Sequence, residues 1–394
     1  MHIVLVSQEY PPETAHGGIA TQTEAKARGL AALGHDVRVL SHSVSGGRIE
    51  TERDGVRIVR IPALTGLETR TEVARWIAWS TQVATELHAF ESTRSIDIVD
   101  FAEYGAEGHV HLLNRPPWER SASVIHLQGP LVMLAHAIGW PEIDSELYRI
   151  GTAMESSCLR LADAIVSSSR QSAHWVSSQY GVDASSIPII HAGVDTSIFR
   201  PGLSDRSPRP TIVFAGRVAA SKGADTLVDA ACIVARRVGS LQVRLIGRYD
   251  DGFRSTLESR ARNAGHADLL EFTGALPRSQ LPSELCRAHV FAAPSRYEGG
   301  PGFVYLEAMA CGVPTIGCSG SGVDETIQNG VTGLLVPPDD VDALAKDLTT
   351  LLEQPSRAKA LGIAGRKYVL DHCETMSCMR RYADFLESVM ARGR

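Results

Sequence analysis

Residues 294–318 read PSRYEGGPGFVYLEAMACGVPTIGC. The apolar stretches on either side, HVFAAPS (289–295) and VPTIGC (313–318), have the look of short buried strands. Between them lie a glycine-rich loop and one apolar helix, expected from about Gly302 to Cys311 and ended by Gly312. Strand, loop, helix and strand in this order make a crossover unit of a parallel sheet. Within it, Glu307 is the only charged residue from Gly302 to Cys318, and it shares a helix face with Phe303 and Cys311. A carboxylate in so apolar a helix is costly unless something pairs with it, which points to a site. It could instead reach the rim or bond a buried amide. Two carboxylate oxygens suit a vicinal diol, and ribose is the obvious candidate. The GGPG loop lets a backbone approach a ligand, and the first helical amides and the helix dipole favour an anion such as phosphate. Taken alone, the loop also reads as an ordinary turn.

The same alternation runs outward in both directions. Downstream is GLLVP (333–337); upstream are TIVFAG (211–216), LQVRLIG (241–247) and LLEFTG (269–274). The first half repeats it with HIVLV (2–6), DVRVLS (36–41), VRIVRI (56–61), IDIVDF (96–101), SVIHL (123–127), DAIVS (163–167) and PIIH (188–191). Helical stretches include about 21–33, ended by Gly34, and a long one at about 70–92. Between the halves, RPGLSDRSPRP (200–210) has a linker's composition. The expectation is α/β: two Rossmann-like, doubly wound parallel-sheet domains over 1–200 and 211–373, joined by a linker at 201–210. The first strand is not followed by GxGxxG, which argues against an ordinary dinucleotide-binding unit. Ligands bind beyond the carboxyl ends of such sheets, so a cleft between two facing domains is the natural site.

Composition narrows the function. The 394 residues are 44% apolar and 21% charged, an ordinary globular balance. With 39 basic against 45 acidic residues the net charge is −6, so a nucleic-acid partner is not expected. No apolar run approaches a membrane span, and MHIVLVSQEYPP reads as a first strand rather than a signal peptide. Seven cysteines without a CxxC pair fit a soluble, reduced, cytoplasmic protein. His109 and His111 have no carboxylate or cysteine at ligand spacing, and no metal site is expected. Neither a GxSxG elbow nor a Walker A loop occurs.

Three further places carry candidate chemistry. In FAGRVAASKG (214–223), Arg217 and Lys222 follow a strand end and could clamp a diphosphate. His126 ends a strand in SVIHLQGP; a lone histidine there is on chemistry alone more often a satisfied core residue. Gly17-Gly18 open the first helix, either as an approach for a ligand or as a loose turn after Pro11-Pro12.

Together these motifs resemble a family-4 retaining glycosyltransferase of the GT-B fold (glycosyltransferases group 1) over nearly the whole chain. The resemblance lies in YPP…GG, LAALGHDV, HAGVDTSIF (191–199), GR…KG, the 294–316 stretch and VDETIQNGVTGLLVPPDD. It implies a nucleotide-sugar donor as co-substrate, no other cofactor and a hydroxyl acceptor that is a saccharide, a lipid-linked group or a small molecule. It implies that Glu307 holds the ribose hydroxyls, that Glu298 lies near the donor sugar, and that Arg217 and Lys222 neutralise the diphosphate. Amides around Gly302, Phe303 and Val304 would meet the distal phosphate. His126 would face the donor sugar, and Gly17 and Gly18 would flank the donor phosphate and acceptor. The helix at about 374–394 would pack back on the first domain. One departure is present: Pro301 and an additional glycine put eight residues between Glu298 and Glu307, one more than the family's usual spacing.

The resemblance further implies a same-face transfer, with retention, in which the leaving phosphate takes the acceptor's proton and Glu298 orients the sugar. Charge on the leaving diphosphate would be met by Arg217, Lys222 and a helix N-terminus in place of a metal. Other readings are a nucleotide-sugar 2-epimerase, a phosphorylase with a pyridoxal cofactor, or a non-catalytic sugar-nucleotide binding protein. The acceptor side is expected in the 62–92 and 128–150 segments. GPLVMLAHAIGWPEI (129–143) is apolar enough to line an acceptor pocket or touch a membrane surface peripherally, but its lack of basic residues favours a buried helix and loop.

Overall fold

A computed structural model describes residues 1–14, 17–64 and 69–392. Residues 65–68, inside the 62–92 segment, lie outside the described residues. The chain divides into two compact units, Met1–Ala192 with Thr375–Arg394, and Gly193–Glu374. The proline-rich 200–210 segment therefore belongs to the second unit.

The first unit runs β1 (His2–Val6), α1 (Gly18–Ala32), β2 (Asp36–Ser43), β3 (Ile49–Arg53), β4 (Val56–Pro62), α2 (Glu72–Thr93), β5 (Ile98–Ala102), α3 (His109–Asn114), β6 (Ala122–Leu127), α4 (Leu131–Ile138), α5 (Glu146–Leu161), β7 (Ala164–Ser167) and α6 (Arg170–Tyr180). Its sheet has the order β3-β4-β2-β1-β5-β6-β7. All pairings are parallel except β3–β4. Sequence patterning misses β3 because IETER is largely exposed and charged, as suits an edge strand. The expected strand at 188–191 is reduced to a single bridge, Ser167↔Ile189, against the short edge strand β7. Helix α1 starts three residues earlier than patterning predicts, at Gly18.

The second unit runs β8 (Thr211–Ala215), α7 (Ala224–Val238), β9 (Gln242–Ile246), α8 (Asp251–Asn263), β10 (Leu270–Gly274), α9 (Leu281–Cys286), β11 (Val290–Ala292), α10 (Phe303–Ala310), β12 (Thr315–Cys318), β13 (Leu334–Val336), α11 (Val341–Glu353) and α12 (Pro355–His372). Its order β10-β9-β8-β11-β12-β13 is wholly parallel and doubly wound. The expected helix from Gly302 is shorter at both ends: Gly302 caps it and Cys311 follows it.

Helix α13 (Thr375–Arg392) completes the first unit rather than the second. Its buried face (Met379, Tyr382, Leu386, Val389) packs with Ile3, Leu5, Val37 and Val39 of the first sheet and with α1. The approach is close: a Cβ at Gly29 would lie 2.3 Å from Met379 Cγ. Helix ends follow local chemistry. Thr71, Ser145, Ser169, Asp250 and Asp340 each accept an amide at the start of α2, α5, α6, α8 and α11. Such caps contribute about 1 kcal/mol each. All seven cysteines are buried thiols. No described helix is long and apolar enough to cross a membrane.

Candidate active site

In the second unit, strand order reverses between β8 and β11, and the loops after these strands flank the switch point. The first loop, 216–223, carries Arg217 and Lys222; the second, 293–302, carries Glu298 and Gly302. Backbone contacts weld the two. Arg296 N donates to Ser221 O at 3.1 Å and Ser295 Oγ to the same oxygen at 3.3 Å. Gly223 turns into α7 at φ +69°, and a Cβ there would stand 1.8 Å from Pro294 O. Arg296 finishes the joint: its guanidinium reaches Ala220 O, Asp225 (3.0 Å) and Asp339 (2.8 Å). Sequence reading missed Arg296. In PSRYEGG it looks like a solvated cation, and its acids lie 71 and 43 residues away.

The two loops at the switch point are thus tied together, and charged side chains lie on both. Lys222 Nζ lies 2.6 Å from Glu298 Oε1, with their side chains 32% and 19% exposed. Arg217 is exposed and pairs with no acid among the described residues. Glu298 is steadied through its carbonyl, which accepts from Gly322 N at 2.7 Å. Gly302 takes φ +65° at the head of α10, and a Cβ would lie 2.4 Å from the Tyr305 ring. The Tyr305 hydroxyl in turn donates to Ala293 O at 2.5 Å. Gly302 O accepts the amides of Tyr305 and Leu306, while those of Phe303 and Val304 have no acceptor among the described residues. Two free amides at a helix start could meet an anion, and the loop that leads to them also presents Glu298 to Lys222.

Glu307 sits about one helical turn beyond these amides, 2% exposed. Arg278, in the turn before α9, donates Nη2 to Glu307 Oε1 at 2.5 Å. Burial raises the Glu307 carboxyl above its ordinary range and the guanidinium opposes that shift. Arg278 also stacks over the Phe199 ring at 5.6 Å. The lone acid in an apolar helix was visible in sequence; its partner was not, being 29 residues distant.

The first unit holds the remaining predicted residues. The loop after β1 is fastened by the buried Arg60, which donates to Tyr10 O (2.9 Å) and Pro11 O (3.0 Å) and pairs with Glu13 at 3.3 Å. At its end, Gly17 is extended (φ −163°) and Gly18 opens α1. A Cβ at Gly17 would make ordinary contact with Glu9 Oε2 at 3.8 Å, and one at Gly18 would meet nothing within 4 Å. The unit's own packing demands neither glycine.

His126 is 1% exposed, with both ring nitrogens engaged. Nδ1 lies 3.3 Å from Lys26 Nζ and Nε2 lies 2.7 Å from the Gln22 amide. The ammonium can only donate, so Nδ1 accepts; Nε2–H can then bond Gln22 only with the amide turned to present its oxygen in place of Nε2. Lys26 is also buried; it pairs with Asp100 at 2.6 Å, and Asp100 accepts from the Tyr382 hydroxyl at 2.5 Å. Burial foremost, then Lys26, holds the His126 pKa well below its ordinary value, so the ring is neutral. Two further buried acids stand after β5. Glu103 accepts Gln128 N at 2.7 Å, and Gly129 N as well; Glu107 accepts Gln8 N at 2.8 Å. Burial pushes their carboxyls up to about 7 and about 8. Sequence reading missed both, because EYGAE (103–107) looks like a solvated loop.

Residues 195–368 match the family model described as Glycosyl transferases group 1, and residues 16–198 match Glycosyltransferase Family 4. The chain is 31% identical to a GDP-mannose-dependent alpha-(1-6)-phosphatidylinositol monomannoside mannosyltransferase of Mycolicibacterium smegmatis, covering 98% of each chain. It is 26% identical to a D-inositol 3-phosphate glycosyltransferase of Kribbella flavida, covering 88% of this chain and 85% of that one. In fold it is similar to a sucrose-phosphate synthase from Thermosynechococcus elongatus, with TM-score 0.83, 22% identity and 99% of both chains covered. It is likewise similar to WaaG, a glycosyltransferase involved in lipopolysaccharide biosynthesis, with TM-score 0.74, 17% identity and coverage of 98% and 99%. The fold is GT-B.

Proposed function

Because the chain belongs to the glycosyl transferases group 1 family, we propose that it moves a sugar from a nucleoside-diphosphate donor to a hydroxyl acceptor, with retention and without a metal. One observation carries the reading: Lys222 and Arg217 lie on the loop after β8, and Glu298, bonded to Lys222, lies on the loop after β11 that leads to the free amides of Phe303 and Val304, the two loops flanking one switch point. The donor's diphosphate would lie there. As the glycosidic bond breaks, negative charge grows on the leaving phosphate, and fixed cations with a helix N-terminus stabilise it without reorganising. That supports metal independence, since the chain's own groups supply the positive charge. Glu298, steadied by Lys222, would orient the sugar ring. Glu307 would accept from the ribose. Gly17 and Gly18 would leave room for the donor phosphate and acceptor. His126 enters as a fixed imidazole that burial holds neutral, facing the donor sugar.

The name of the relative from Mycolicibacterium smegmatis supports GDP-mannose as donor and an inositol-containing glycolipid as acceptor. A lipid-linked acceptor would bring the protein to a membrane surface. Seven buried thiols fit a reducing compartment such as the cytoplasm.

The test is turnover with GDP-mannose, UDP-glucose and ADP-glucose against a phosphatidylinositol mannoside acceptor, with and without EDTA, with the product anomer read by NMR. The expected result is transfer from GDP-mannose, indifferent to EDTA, giving an α-linked product. Inversion, or complete dependence on a divalent cation, would sink the mechanism. Donor conversion without acceptor would favour the epimerase.

A further inference from the structure

The Arg278–Glu307 pair joins a half-exposed cation to an acid that is almost wholly buried: the side chains are 49% and 2% exposed. An unpaired carboxylate at that depth would take up a proton rather than stay charged. Arg278 approaches from the turn after β10, and its stacking on Phe199 fixes its direction. It engages only Oε1; Glu307 Oε2 accepts no hydrogen bond among the described residues. The other charged or titratable groups near Glu307 are Cys311, one turn on, and Arg366 of α12, which donates to Ala310 O. Arg278 is the cation that reaches the carboxylate itself.

We propose that Arg278 is a nucleotide-positioning residue, which keeps the Glu307 carboxylate charged and oriented so that its free oxygen accepts a ribose hydroxyl. The proposal rests on the reading of Glu307 as the ribose acceptor. Arg278 acts through Glu307, so its loss should remove ribose discrimination selectively. It should also make that discrimination depend on pH. Without the guanidinium, burial alone sets the Glu307 carboxyl higher, so the charged form is lost first as pH falls.

The experiment is calorimetric titration of wild type, Arg278→Ala, Arg278→Lys and Glu307→Gln from pH 6 to 8.5. The probes are GDP, UDP and ADP, and the 2′,3′-dideoxy form of whichever binds tightest. Wild type should prefer the ribonucleotide about tenfold, the worth of a hydrogen bond to a charged group, with little change across this range. In Arg278→Ala the preference should shrink below about threefold at pH 6 and recover towards pH 8.5. Arg278→Lys, which restores the charge, should keep most of the preference. An unchanged preference at every pH in Arg278→Ala overturns the proposal and leaves the ribose reading intact. A wild type that does not discriminate, or binds none of the three, overturns both, as does a Glu307→Gln protein that discriminates like wild type.

Discussion

Lys222 and Glu298, 76 residues apart, meet at 2.6 Å on the loops that follow β8 and β11. The lysine proposed to hold a diphosphate is thus already engaged by the acid proposed to hold the sugar. A bound diphosphate must share the ammonium with that carboxylate and tolerate its negative charge. Glu298→Gln removes the competing charge but keeps the shape. It should bind a nucleoside diphosphate as tightly as wild type or a few-fold tighter, while transfer falls by about 100-fold or more. Lys222→Ala should weaken binding about tenfold and abolish most turnover, consistent with loss of a charge-assisted contact. Calorimetry beside initial rates reads both. A Glu298→Gln protein that loses affinity in step with rate would rule out this division of labour.

The glycines separate into those the fold requires and those it does not. Gly223 combines φ +69° with a backbone oxygen 1.8 Å from any Cβ, so Gly223→Ala must pry the two loops apart. The expected cost is about 2–4 kcal/mol, seen as a fall in Tm of several degrees. Gly18→Ala meets open space and should leave Tm within about a degree. If ligand approach is the reason for Gly18, the same variant should lower donor turnover. Unchanged turnover would remove Gly18 from the site.

The buried Lys26–Asp100 pair predicts an asymmetry. Removing either partner strands the other charge at a depth where both are nearly inaccessible, at a cost of about 3–5 kcal/mol. Lys26→Met and Asp100→Leu should each show this cost in denaturant unfolding, and the double variant should recover much of it. Tyr382→Phe deletes one hydrogen bond and should cost about 1–3 kcal/mol. Equal losses in the single and double variants would show that packing, not charge, holds this junction.

Much of this was legible in the sequence, and the reasons differ by residue. Alternating apolar runs and helices disclosed two parallel sheets, because a strand buried on both faces cannot disguise itself. The charged β3 and the single bridge at Ile189 were not legible, since edge pairing leaves little mark on composition. Glu307 stood out against an apolar helix. Arg278 and Arg296 did not, because an arginine's meaning depends on the acid it meets, and those meetings are tertiary. Lys26 of α1 carries no mark in the sequence of its burial, which Asp100 of β5 and Tyr382 of α13 complete.

Glu103 gives the protein a pH signature. Its carboxyl is raised from 4.5 to about 7, chiefly by burial, against the pull of the Gly129 and Gln128 amides. Between these values the folded state holds a proton that the unfolded state has released, so stability falls as pH rises from about 4.5 to about 7 and the contribution levels off above that. Glu107, raised to about 8, extends the slope. Glu103→Gln keeps an oxygen for the two amides and should be the more stable protein at pH 8, by roughly 1–3 kcal/mol. Near pH 5 the two should converge. A parallel pair of stability curves across this range would exclude Glu103 as the source.

Helix α13 supplies Tyr382 to Asp100 and Met379 to Gly29, yet it is made after all of the second unit. On the ribosome, the segment 193–374 is continuous, whereas the earlier-made half must wait for part of the cover on one face of its sheet, the part that α1 does not supply. Domains of a nascent chain generally fold in order of synthesis; here the later half can mature before the earlier one. Until residues 375–392 arrive, the first unit has an apolar surface to shield, which makes that half the one to seek in association with chaperones.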